Sequence, residues 1–194
     1  MPQELKINKL KTAIVVIDLQ KGITQMPTEP FPAKTVIDNS TKLVEACRKN
    51  DMPVFLVHVT PSPDMKDALH PVSETSFQMS GYNPSWSEFV PELNVQHGDF
   101  QIIKHQWGAF YGTELDLQLR RRGIDTIILC GIATNFGVES TARFAYEYGF
   151  NQIFVNDAMA ARSKEQHEYP LNYIFPRLGL IRSTEEVLTA LKAN

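Results

Sequence analysis

Apolar runs of strand length recur along this chain, and segments with helical spacing lie between them. Residues 12–17 form the first run, closed by Asp18; residues 54–59 form the second. A third occupies 99–103 and ends at Lys104, a fourth 126–129, a fifth 152–155 closed by Asn156-Asp157, and a short sixth 178–181. The runs at 12–17, 54–59 and 126–129 are continuous, not alternating, which marks strands buried on both faces. Helical periodicity appears over 36–49, with Thr35 as N-cap, and over a segment capped by Thr113 that runs through Arg122 to a stop at Gly123. It returns from the turn after residue 130 to Tyr148, again over 165–175, and in a last helix that Ser183 and Glu186 begin as a capping box. Strand alternating with helix predicts an α/β fold: a parallel sheet, right-handed crossovers and helices on both faces.

Two segments break the pattern. Residues 19–32 read as a loop with three prolines, and residues 60–98 as a long irregular stretch rich in Pro, Ser, Met and aromatics. Loops of that second length in a compact domain are usually functional. Its composition predicts a cover that packs, with a short helix near 85–89. The 194 residues suit one domain, 1–194.

Charge narrows the function. A net charge of −3 gives no footprint for nucleic acid or an anionic membrane. The one dense basic run, Arg120-Arg121-Arg122, ends a helix, where cations favour the macrodipole. No run of about 18 apolar residues predicts a membrane span. The first residues lack signal-peptide features. Cys47 and Cys130 read as small core hydrophobes, with no metal-ligand spacing around them. A cytoplasmic protein with reduced thiols is expected.

In open parallel sheets ligands bind past the C-terminal strand ends. Three such ends carry chemistry here: Asp18, Lys104 and the turn from Ile132 through Ala133 to Gly137. Asp18 and Lys104 at one edge would form a partly buried ion pair, with burial raising the carboxylate pKa and the lysine lowering it. Such a pair can act as an acid or base. The turn can offer backbone N–H donors at a helix start. Trp107, Phe110, Tyr111, Trp86 and Tyr82 are candidates to line an apolar pocket, Trp107 foremost because it follows Lys104 by three residues.

Three stretches in order give these residues a family likeness: the segment 13–20 around Asp18, Lys104 with residues 108–115, and residues 130–142. Together they resemble the isochorismatase-like hydrolases, a superfamily that includes nicotinamidase and N-carbamoylsarcosine amidase. The resemblance implies a six-stranded parallel sheet and a site of Asp18, Lys104 and position 137. It also implies a non-proline cis peptide at Ile132–Ala133. In the amidase members position 137 is a nucleophilic cysteine with the aspartate as its base. Here it is Gly137, so the thioester route is closed. True isochorismatases share this glycine and hydrolyse a vinyl ether with the aspartate as acid.

Two departures bear on the substrate. Between residues 52 and 119 only Lys66 and Lys104 are full cations, and no arginine matches the one isochorismatases use to hold a dicarboxylate. His58, His70, His97 and His105 would help only when protonated. Where the nicotinamidases carry a metal-binding Asp-x-His, this chain has His58-Val59-Thr60, so no metal and no other cofactor is expected. The reading that follows is a hydrolase of a small molecule without a cysteine nucleophile. A water-mediated amide, ester or imine hydrolase and a degenerate binding protein stay open as alternatives. A homo-oligomer, dimer or tetramer, is expected from the apolar cover and the aromatic segment 107–111.

Overall fold

The computed structural model describes residues 5–75 and 83–193. Six strands form one sheet in the order β3-β2-β1-β4-β5-β6, and every pairing is parallel. They are β1 (Thr12–Ile17), β2 (Val54–Val59), β3 (Phe100–Lys104), β4 (Thr126–Ile132), β5 (Asn151–Ala160) and β6 (Leu180–Arg182). Among the described residues seven α-helices accompany them: α1 (Lys21–Thr24), α2 (Ala33–Lys49), α3 (Leu115–Arg121), α4 (Glu139–Glu147), α5 (Lys164–Tyr169), α6 (Phe175–Leu178) and, after the last strand, α7 (Thr184–Lys192).

Strand β1 is central and buried along its whole length. Successive side chains on a strand point to opposite faces, so Ile14 and Val16 join the core under α2 and α7, while Ala13, Val15 and Ile17 join the one under α3, α4 and α6. That two-sided burial is why the run carries no polar alternation. Cys47 and Cys130 sit in the first core. Burial pushes both thiols up to about 12, so neither is a thiolate nucleophile.

Several boundaries differ from expectation. Helix α2 starts at Ala33, and Pro32, not Thr35, holds the N-cap position. Pro32 has the φ that a helix start needs, and its carbonyl accepts the Thr35 N–H at 2.9 Å. Thr113 lies one residue before the N-cap of α3, although its hydroxyl still accepts the Leu115 N–H at 3.2 Å. Gly123 ends that helix at φ +67. Strands β4 and β5 run longer than the apolar runs, because pairing shifts register between Leu129 and Gly131 and resumes with Gly131 opposite Met159. Asn156-Asp157 is therefore inside β5. Asp157 Oδ1 accepts from both the N–H and the hydroxyl of Thr184, which docks α7. The single helix expected over 165–175 is α5, a π turn at Pro170–Ile174, and α6. Pro170 and Pro176 lack the N–H a continuous helix requires. Sixth strand and capping box stand as Leu180–Arg182 and Ser183 with Glu186. Of the 60–98 segment, the described part folds into 3-10 turns at Pro84–Ser87 and Pro91–Leu93. No described helix is long and apolar enough to cross a membrane.

Candidate active site

Chain direction puts Asp18, Lys104 and the end of β4 at the same sheet edge. Asp18 follows β1 at φ +53, a left-handed conformation that aspartate tolerates better than most side chains. Its N–H donates to Val57 O at 2.9 Å, the last rung of the β1/β2 ladder. The φ reversal swings the carboxyl off the strand direction. Lys104, the last residue of β3, is 1% exposed and Asp18 4%.

Lys104 Nζ donates to Asp18 Oδ2 at 2.8 Å, to Trp107 O at 2.8 Å and to Gln106 O at 3.1 Å. An ammonium has three hydrogens, and all three are spent. Lys104 thus fixes one oxygen of Asp18 and has no donor left for a ligand. The other oxygen, Oδ1, is buried and has no hydrogen-bond partner. Burial raises the Asp18 pKa above the usual carboxylate range, and Lys104 works against that rise. The result is a carboxyl anchored at Oδ2, biased toward its acid form, with Oδ1 uncommitted.

Gly137 faces this carboxyl. A Cβ on it would lie 2.9 Å from Asp18 Oδ2, 2.9 Å from Ile17 Cγ2 and 3.5 Å from Trp107 O. Gly137 is not among the glycines at positive φ, so a side chain there would meet the Asp18 carboxyl and Ile17 rather than backbone strain.

The turn itself begins at a cis Ile132–Ala133 peptide and passes through a π turn at Thr134–Val138 into α4. The amides of Phe136 and Val138 both donate to Ala133 O, at 3.1 and 3.2 Å. Thr141 Oγ1 donates to Gly137 O at 2.7 Å and accepts from Ala109 N at 3.1 Å, tying the Lys104 loop to the turn.

The expected aromatic lining separates into different roles. Trp107 is 62% exposed, its ring 4.8 Å from that of Phe136, at the rim above Gly137. Tyr111 is 69% exposed. Phe110 is not at the pair at all: it is 4% exposed and packs between Tyr148 and Phe150 in the α3/α4 core. Trp86 lies with its indole against Gly22, closing the cover over α1. Tyr82 falls outside the described residues. Among the described residues no group of three or more His, Cys, Asp or Glu side chains is placed to hold a metal ion. The surface depression beside Arg48, Asp99 and Phe100 lies at the opposite, N-terminal edge of the sheet.

Two buried polar residues that drew no role from sequence support the site, Gln20 and His167. Gln20 is fully buried: its Oε1 accepts from Val59 N at 2.9 Å, and its Nε2 donates to Val59 O and Trp86 O at 3.1 and 3.3 Å. It pins the cover to β2. His167, 2% exposed on α5, has Nδ1 2.8 Å from the hydroxyl of Thr134, the first residue of the π turn. An edge contact at 5.9 Å joins its ring to Phe31. Neither the buried glutamine nor the buried histidine shows any periodicity that separates it from a surface residue.

Burial lowers the His167 pKa to about 4. Between about 6.5 and 4 an unfolded chain binds a proton there that the folded one refuses. Stability from this contact is full above pH 6.5 and is lost as the pH falls toward 4. Melting temperatures from pH 7.5 to 4.5 should drop in the wild type and drop less in His167→Gln. Equal slopes in the two proteins would rule this out.

Fold and site together define an α/β protein with a lysine-anchored carboxyl at the C-terminal edge of a six-stranded parallel sheet. The isochorismatase domain family matches residues 12–186. The chain is 52% identical to the uncharacterised isochorismatase family protein YwoC of Bacillus subtilis, over 99% of this chain and all of that one. It is 48% identical to YecD of Escherichia coli O157:H7, another uncharacterised isochorismatase family protein, over 96% of this chain and all of that one. A solved isochorismatase family protein from Burkholderia thailandensis superposes with a TM-score of 0.93 at 43% identity, covering 96% of this chain and 98% of the other. This chain belongs to the isochorismatase family, and it is a hydrolase.

Proposed function

We propose that this protein hydrolyses a small molecule by proton transfer from Asp18, with water as the only nucleophile and without a covalent enzyme intermediate. One observation carries the reading. Asp18 presents a buried, unpartnered Oδ1 on a carboxyl that burial biases toward the acid form, while position 137 beside it holds no side chain. A protonated carboxyl in that place is a proton donor in need of an acceptor. The closest chemistry is vinyl-ether hydrolysis. The acid protonates the terminal carbon of the enol ether, an oxocarbenium ion forms, and water captures it. Lys104 anchors Oδ2 and stabilises the carboxylate that results.

A second reading has its own support: the turn from Ile132 through Ala133 to Gly137 leads into a helix start beside Asp18, where backbone amides can face an oxyanion, which favours direct attack of water on an amide, ester or imine. Two features point to a substrate of low charge. Lys104 has no hydrogen left for a carboxylate, and Lys21 is already paired with Glu88. We place the protein in a reducing cytoplasm, in keeping with its two free buried thiols. We also place it in a dimer or larger closed assembly, because Trp107, Tyr111, Tyr169 and Tyr173 are exposed on one chain.

The test is a panel of isochorismate, nicotinamide and N-carbamoylsarcosine, with intact-protein mass spectrometry during turnover and light scattering on the same preparation. Turnover of a panel compound with an unmodified protein mass is expected, from a species larger than the monomer, with isochorismate disfavoured by its two carboxylates. An acyl adduct, or binding without turnover of any compound, would sink the mechanism; a monomer at micromolar concentration would sink the assembly.

A further inference from the structure

A ring of contacts closes around the acid. Lys104 Nζ, at the end of β3, donates to Asp18 Oδ2 and to Trp107 O, both at 2.8 Å. Two residues further along the same loop, Ala109 N donates to Thr141 Oγ1 at 3.1 Å. Thr141, on α4, donates in turn to Gly137 O at 2.7 Å. Gly137 leads back to the start: a Cβ on it would lie 2.9 Å from Asp18 Oδ2 and 3.5 Å from Trp107 O. Every residue that contributes a side chain to this ring is buried.

We propose that Thr141 is a positioning residue of this site: its hydroxyl clasps the Lys104 loop to the turn, holds Gly137 against the Asp18 carboxyl and keeps water out of the seam between them. The inference rests on the reading of Asp18 as the acid. Three observations lead to it. First, both hydrogen-bonding roles of the hydroxyl are taken. A threonine inside a helix commonly donates to the carbonyl four residues back, and Thr141 does so with Gly137. The same oxygen also accepts from Ala109, 32 residues away in the chain, so one hydroxyl joins two separate backbones. Second, the loop lies directly on α4 beside Thr141. A Cβ on Gly108 would be 3.4 Å from Phe144 Cδ2 and 3.6 Å from Ser140 Cβ. Third, Lys104 does not close the seam by itself. Its three hydrogens go to Asp18, Gln106 and Trp107, on the acid and the loop, and none is left for the turn.

Thr141 touches no reacting atom and acts through the surroundings of the carboxyl. Burial raises the Asp18 pKa, while Lys104 and His58, the charged neighbours that act on it, lower it. With the seam shut, burial leads. With the seam open, water solvates the carboxylate, the effect of burial weakens and the two neighbours remain, so the pKa falls. A carboxyl that gives up a proton works below its pKa. The alkaline limb of the rate profile then moves to lower pH.

Thr141→Val tests this. Valine keeps the shape of threonine and removes both hydrogen bonds. On the compound of the isochorismate, nicotinamide and N-carbamoylsarcosine panel that the wild type turns over, kcat should fall by about 10²-fold with KM nearly unchanged, because a misplaced acid costs only the transition state. The alkaline limb should shift to lower pH. Thr141→Ser keeps the hydroxyl and should bring back both the rate and the limb. A 13C NMR titration of the Asp18 carboxyl needs no substrate: its midpoint should fall in Thr141→Val and return in Thr141→Ser. Thr141→Cys puts a weak thiol in the same place. It should give a smaller shift in the same direction, and it stands in for a valine variant that does not fold. An Asp18 midpoint that is the same in the wild type and in the valine and cysteine variants overturns the clasp, and so does a serine variant as slow as the valine one. Asp18→Asn run in parallel separates the two ideas: full activity there defeats the acid reading, while the carboxyl titration still judges Thr141.

Discussion

Asp18→Asn is expected to cost about 10²–10⁴-fold in kcat on whichever panel compound is turned over, with the fold intact. The substitution keeps size and shape. Asparagine is among the few residues at ease in the left-handed conformation that Asp18 adopts at φ +53. Lys104 keeps its bonds to Trp107 O and Gln106 O, and an amide oxygen can take the place of Oδ2. No contact is lost at Oδ1, because it has none. What disappears is the transferable proton. Circular dichroism and a thermal melt check the fold, and steady-state kinetics check the rate. A folded variant at wild-type rate would show that the reaction runs elsewhere.

Lys104→Met should have the largest effect on stability. Methionine has nearly the length of lysine and fills the same 1%-exposed space. It leaves Asp18 Oδ2 and the carbonyls of Gln106 and Trp107 without their common donor. Removing one partner of a buried ion pair costs about 3–5 kcal/mol, because the remaining charge stays desolvated. Asp18 can relieve that cost only by staying protonated. Its folded pKa is already raised above 3.8 by burial, and without Lys104 it rises further. A raised folded pKa means that the unfolded chain binds fewer protons above pH 3.8, so this carboxyl destabilises increasingly as pH climbs through the folded pKa. Urea unfolding at pH 5 and pH 8 should therefore show a larger deficit at pH 8. The double variant Asp18→Asn/Lys104→Met should recover part of it. A single variant as stable as the wild type at both pH values would mean that the pair carries no buried charge.

Much of the architecture was legible because burial on both sides of a parallel sheet writes itself as unbroken apolar runs. Strand β1 is such a run from first residue to last, and its end placed Asp18 correctly at the sheet edge. Boundaries were less legible where pairing outweighed hydropathy. Asn156 and Asp157 look like a strand end, yet β5 runs past them because the register shift opposite Gly131 lets pairing resume at Met159. The aromatics behaved similarly. Phe110 and Trp107 are three residues apart on one loop, but one fills the core against Phe150 and the other stands at the rim beside Phe136. Sequence distance from Lys104 carries no information about which way a loop side chain turns.

The sequence by itself determined the order of chemistry along the chain: a carboxyl after β1, a cation at the end of β3, a glycine in the turn after β4. Those are properties of residue type and strand end, and both are local. Only the tertiary structure decided how the groups divide the work. It took three strands from separate parts of the chain to bring the Lys104 ammonium to one oxygen of Asp18 and leave the other bare. The same packing set Gly137 against the Asp18 carboxyl, 2.9 Å from where a Cβ would be. It also brought the Ser87 carbonyl, from the cover, to 2.7 Å from His58 Nδ1. Hydrogen-bond saturation and desolvation depend on every neighbour at once, and neighbours distant in sequence meet only in the folded chain.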